Sequence, residues 1–155
     1  MLPIQDITMD KLIQAGMVRF FAPLMVGKFA PKYLSGGRNS SITFTTGAVS
    51  ERPIPNWSAV GSYAAGLHGM TRGLALDLKP LRVNLVSPGF VDTELWANTG
   101  MSEEQKLKAF EEAEKKMPTG KVPDAGDIAE SYLYAMKDRN LTGAMISTNG
   151  GQLLM

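Results

Sequence analysis

The sequence predicts an α/β fold: a truncated doubly wound, Rossmann-like parallel sheet of about three strands with flanking helices. Three observations predict it. The runs "SITFTT" (41–46), "LRVNLVS" (81–87) and "GAMIST" (143–148) are β-branched or apolar and read as strands. Helical patterns separate them, and strands joined by helical crossovers pair in parallel with helices on both faces. A length of 155 residues with 44% hydrophobic content suits a single domain, 1–155, with a real core.

Each element has its own signal. Thr8 or Asp10 is placed to cap a first helix running through Arg19 to about Lys32, with Leu12, Ile13, Met17, Phe20, Phe21 and Leu24 on a broad apolar face. Pro23 should kink it, because proline removes a backbone donor and crowds the preceding turn. "YLSGGRNS" is a turn signal ahead of the first strand. After the two-proline loop "GAVSERPIPNW", a second helix runs from about Ser58 to Leu78. "MSEEQKLKAFEEAEKK" reads as a solvent-facing helix with Leu107, Phe110 and Met117 on one stripe. Asp127 is placed to cap a helix from Ile128 to about Lys137, and "NGG" closes the last strand. The strand at 41–46 would lie at a sheet edge, which proteins normally cover or pair.

Charge and composition exclude several functions. Sixteen basic residues against fifteen acidic ones leave +1, which gives no footprint for nucleic acid or a membrane surface. No cysteine is present, so there is no disulfide framework and no thiolate chemistry. With one histidine and no cysteine, no metal site is expected. The apolar stretch "GMVRFFAPLMVGKFA" is interrupted by Arg19, Pro23 and Lys28 and is too short to span a bilayer. "MLPIQDITMDK" lacks the pattern of a secretory signal. The expected setting is cytoplasmic, with no nucleic-acid or membrane partner.

The blocks "SITFTTG", "GMTRGLALDLKPLRVNLVSPGFVDT", "GKVPDAGDIAESYLYAM" and "TGAMISTNGG" together resemble the second half of a short-chain dehydrogenase/reductase. The "RVNxVxPGxVxT" block is the most specific of them. The resemblance implies the last three strands of a doubly wound nucleotide-binding sheet, and an NAD(P) cofactor. It also implies that Met1 falls where the family's fourth strand has just ended. The strand, glycine-rich turn and helix that hold the cofactor phosphates do not occur in the 155 residues, so no cofactor is expected from the sequence itself. "GLHGMTRG" has glycines, but it lies inside a helix with no strand before it. The residual nicotinamide-turn positions are Pro88, Gly89, Val91 and Thr93.

The resemblance also bears on the chemistry. The family uses a tyrosine as general acid/base, a lysine one helical turn later and a serine at the end of the preceding strand. Aligned on "GMTRGLA", the lysine falls on Ala64, the tyrosine on Val60 and the serine on Thr46 (Gly47 if the loop has no insertion). The asparagine that many members carry falls near Arg19. Without the lysine a phenol of pKa about 10 is a poor proton carrier near neutrality. Tyr63 is displaced about 60° around the helix from Val60 and still within reach of the cleft. The candidate catalytic residues are therefore Thr46, Tyr63 and Arg19, with Thr45 well placed to bind a ligand. Trp57 and Trp96 flank the expected cleft, and His68 is expected at a helix interface.

Three functions stay open. One is a non-redox small-molecule catalyst of isomerase, cyclase or lyase type. The second is a non-catalytic pseudoenzyme or partner subunit. The third is an NAD(P)-dependent oxidoreductase completed by another chain. The small residues Ala64, Ala65, Gly66 and Gly69 permit close helix approach. The family pairs these helices across a dimer, so a homo-oligomer through the Asp10–Lys32 and Ser58–Leu78 helices is expected, with a small-molecule ligand as the other partner.

Overall fold

The computed structural model describes residues 2–155. Its elements are α1 (Met9–Gly16), α2 (Ala22–Phe29), β1 (Ser41–Thr45), α3 (Ser58–Asp77), β2 (Arg82–Pro88), α4 (Glu103–Glu114), α5 (Ala125–Lys137) and β3 (Met145–Thr148). The three strands form one parallel sheet in the order β1-β2-β3. Ser41 pairs with Arg82 and Thr45 with Val86, while Leu85 pairs with Met145 and Pro88 with Thr148. The expected three-strand parallel architecture is therefore present, and the register brings all three carboxyl ends together.

The central strand reads as an apolar run because both its faces are covered. Val83, Leu85 and Val86 are fully buried. Ile42, Phe44, Leu67 and Leu81 join them in the core, with Phe20, Met70 and Leu74 packed against it. Three polar side chains, Arg82, Asn84 and Ser87, are buried in the same strand, and the first two have hydrogen-bond partners. Asn84 donates to Leu141 O (2.9 Å) and accepts from Ala144 N (3.2 Å). The Arg82 guanidinium donates to the carbonyls of Arg38, Ala135, Met136 and Leu141. Two of these carbonyls end α5, where the helix dipole favours a cation.

Thr8, of the two candidates, caps the first helix: its hydroxyl accepts from Lys11 N at 3.3 Å. The expected kink at Pro23 is resolved as a π turn over Met17–Phe21, in which Ala22 N–H reaches back to Met17 O. The wider turn takes up the missing proline donor without breaking the helix. The helical run Met9–Lys32 is thus 24 residues, longer than the stretch read from sequence. By length and composition alone it is apolar enough to cross a membrane, and most of it lies at the surface.

Three sequence expectations shift. Asp124, not Asp127, caps α5: the two carboxylates form a reciprocal box with each other's backbone N–H groups, so the helix starts at Ala125. α4 ends at Glu114, which leaves Met117 buried beyond it, and Leu107 is 59% exposed rather than inward. Gly66 packs inside the chain, since a Cβ there would lie 2.7 Å from the Phe20 ring. Gly69 and Gly73 face open space.

Candidate functional site

The carboxyl ends of β1 and β2 open into a cavity of about 940 Å³. Open α/β sheets hold ligands at this end, and the volume suits a small organic molecule. α3 supplies Trp57, Val60 and Ala64 to one wall. The segment after β2 supplies Phe90, Leu95 and Trp96, and α5 supplies Ala125, Ile128, Ala129 and Tyr132. Both tryptophans of the chain are in the lining.

Thr46 lines the cavity, as expected, but its hydroxyl donates to Ala64 O at 2.8 Å. That leaves oxygen lone pairs, not a proton, for a ligand. Arg19 also lines the cavity, with one guanidinium N–H on Ala15 O at 3.1 Å. Tyr63 does not appear in the lining. Its hydroxyl donates to Leu12 O at 2.9 Å, and its ring packs against Phe20 and Phe21, at 5.7 and 6.1 Å between centroids. A Cβ on Gly16 would sit 2.7 Å from this ring, so Tyr63 is a clasp between α1 and α3. The structure thus brings Thr46 and Arg19 together at the cavity and sets Tyr63 apart.

Pro88, Gly89, Val91 and Thr93 all line the cavity. Their turn is held from behind. Gln152 accepts Phe90 N through its side chain (2.9 Å) and Arg52 Nη1 through its carbonyl (2.7 Å). Gly89 approaches Asn149 so closely that a Cβ would lie 2.9 Å from its Cα. Farther along, Phe90, Trp96 and Phe110 form an aromatic cluster with centroids 4.5–5.7 Å apart. Trp96 Nε1 donates to Val91 O at 2.7 Å. Lys106 of α4 pairs with Asp92 at 2.9 Å. The Asp92 hydrogen bond is the main cause that holds the Lys106 amine above its ordinary range. His68 bonds Ser50 Oγ at 3.0 Å, so it faces the loop after β1.

Two polar cavity residues escaped the sequence reading. One is Gln152. The other is Tyr132, whose hydroxyl lies 2.6 Å from Thr45 Oγ1. The spacing Ile128, Tyr132, Ala135 puts a tyrosine on the inward stripe of α5, and a tyrosine tip there calls for a polar partner.

The NAD(P) implied by the resemblance fits these residues poorly at its phosphates. Phosphates bind at helix N-termini opened by glycine turns. Among the described residues, the α4 and α5 N-termini are closed by Ser102–Gln105 and Asp124–Asp127 boxes, and Asp124 and Asp127 carry negative charge where an anion would sit. α3 is preceded by a loop. No group of three His, Asp or Glu side chains is arranged for a metal among the described residues.

The family model of an SDR-like Rossmann domain matches residues 1–155. The short-chain dehydrogenase/reductase malC of Malbranchea aurantiaca is 43% identical over 153 residues, covering 98% of this chain and 57% of the relative. The short-chain dehydrogenase/reductase fsr5 of Gibberella fujikuroi is 41% identical over 155 residues, covering 97% and 57%. Among solved structures, that of the MalC reductase/Diels-Alderase superposes with a TM-score of 0.91 at 40% identity, covering 99% of this chain and 58% of the other. A small-chain dehydrogenase in complex with NADPH superposes at 0.89 with 30% identity, covering 99% and 68%. The chain thus spans a little over half the length of the curated relatives it matches. With the strand ends, the "PGFVDT" turn and the sheet order all in place, the chain belongs to the short-chain dehydrogenase/reductase family.

Proposed function

We propose that this chain holds an apolar small molecule in the cavity and promotes a non-redox reaction on it, of isomerase, cyclase or lyase type. The observation that carries this reading is the wall formed by Val60 and Ala64. The family alignment puts its tyrosine and lysine at these positions, and two aliphatic side chains cannot relay a proton. Reactions that need confinement and a few hydrogen bonds remain within reach. A relative described as both reductase and Diels-Alderase is consistent with this, because a cycloaddition requires no hydride. Thr46 and Arg19 are the polar groups assigned to the ligand. Tyr63 is assigned to packing.

A second reading, an NAD(P)-dependent oxidoreductase completed by another polypeptide, is favoured by the likeness to an NADPH complex and by the cavity position of Pro88, Gly89, Val91 and Thr93. Native mass spectrometry of the purified chain separates the two. A co-purifying apolar molecule without dinucleotide supports the first. An NADP(H) adduct, or enhanced NADPH fluorescence on mixing, overturns it.

The chain is also read as a homo-oligomer in a cytoplasmic setting. Ala65, Gly69 and Gly73 leave an outer face of α3 smooth, and Val18, Met25, Val26 and Phe29 stay exposed on the neighbouring helical run. A second copy covering these residues would bury that apolar surface. The same face would serve a non-catalytic subunit, should turnover be absent.

A further inference from the structure

The Tyr132 hydroxyl lies 2.6 Å from that of Thr45 in the cavity lining, and while the sequence marks Thr45 as a ligand contact, the pair as a unit has no role assigned so far. We propose that they form a hydrogen-bond site for a neutral oxygen acceptor, a ketone, lactam or amide carbonyl, on an otherwise apolar ligand. This rests on reading the cavity as a ligand site.

The argument is one of counting protons. Each hydroxyl carries one proton, and in a bonded pair only one of the two is used between them. Whichever residue donates, the other proton is directed away from the pair. Neighbouring donors differ: Thr46 already gives its proton to Ala64 O, and Trp96 gives its Nε1–H to Val91 O. A hydroxyl that accepts a hydrogen bond is also polarised into a better donor. The pair is held from both sides, with Thr45 fixed by the β1–β2 ladder and Tyr132 carried on α5 next to buried Ile128. The surrounding lining, Ile54, Trp57, Phe90 and Ala129 among it, is apolar, and a ligand seated on it covers the exposed Thr45 and shields the pair from water.

Charge sets the ligand class. Arg19 is the charged side chain of the lining, and it suits an anionic group. The hydroxyl pair is neutral and suits an uncharged carbonyl oxygen. The ligand class is therefore an apolar molecule bearing a carbonyl.

The matched probes 1-tetralone and tetralin share a bicyclic skeleton and differ in the carbonyl. Binding to the full chain is followed by the emission of Trp57 and Trp96, with thermal melts as the folding control. The wild type is expected to prefer 1-tetralone by roughly fivefold, the weight of one neutral hydrogen bond. The double variant Tyr132→Phe/Thr45→Val should bind both equally, with the affinity for tetralin unchanged. Thr45→Ser should keep the preference. If the double variant fails to fold, Thr45→Val alone decides, with a preference at least halved. Equal binding of the two probes by the wild type, or a preference that survives the variants, overturns the proposal and leaves the cavity reading intact. If neither probe binds, the cavity reading falls and takes the proposal with it.

Discussion

Thr46 Oγ1 donates to the Ala64 carbonyl oxygen across 2.8 Å, tying the end of β1 to the middle of α3. The family resemblance implies a serine at Thr46, or at Gly47 if the loop has no insertion, and a lysine at Ala64. The strand and helix keep their relation through a hydrogen bond that needs no charge. Thr46→Val conserves shape and removes the donor, so it should cost about 0.5–1.5 kcal/mol. Each kcal/mol corresponds to about 2–4 °C in Tm for a chain of this size. Calorimetry checks the loss, and Thr46→Ser should restore most of it.

Tyr63→Phe separates packing from chemistry. The variant loses the bond to Leu12 O and keeps the ring between Phe20 and Phe21. A stability loss of about 1 kcal/mol is expected, with ligand affinity in the cavity unchanged. A large drop in affinity at unchanged Tm would return Tyr63 to the site.

Glycines on the two sides of α3 should behave in opposite ways. Gly66→Leu drives a side chain into the Phe20 ring and should destabilise the monomer by about 1–3 kcal/mol. Gly69→Leu points into open space, and replacing a helical glycine raises helix propensity by up to about 1 kcal/mol. Gly69→Leu should therefore preserve or raise Tm while shifting the mass in solution towards monomer. Light scattering together with melting curves checks both. An unchanged mass for Gly69→Leu removes this face from the interface.

The anchoring of α4 should weaken on the alkaline side of the lysine range. Lys106 is held above 10.5 first by its hydrogen bond with Asp92, and further by the charges of Asp92, Glu103 and Glu94. The contribution is complete below the ordinary lysine pKa of 10.5 and is lost as pH rises through the higher folded value. Lys106→Met should thus differ from wild type in stability at pH 8–10 and converge with it at higher pH. Parallel denaturant titrations at several pH values test this. A difference that persists above the folded value would place the effect in packing on Phe110, over whose ring the amine sits at 5.2 Å.

The strands were legible because β-branched runs bounded by turn residues have few alternatives. The π turn was not: Pro23 announces that a donor is missing but does not say how the helix absorbs the loss. The cap of α5 was misplaced by three residues, since Asp124 and Asp127 offer the same chemistry and only geometry separates cap from third position. At the site, the "PGFVDT" positions line the cavity because the backbone turn after β2 forms part of its wall. Tyr63 misled because periodicity shows which residues share a helix face, not which neighbour that face meets. Tyr132 was missed for a related reason: its meaning comes from Thr45, 87 residues away.

The outer edge of β1 carries a last consequence. Among the described residues, Ser41–Thr45 has its ladder on the β2 side only, and its five residues include no lysine, proline or bulge. A free row of backbone donors and acceptors recruits any extended peptide that drifts past. Strand addition is then expected to rise with concentration, and light scattering across a dilution series checks it. A short β-strand peptide of matching register, added in excess, should act as a stopper and extend the working range.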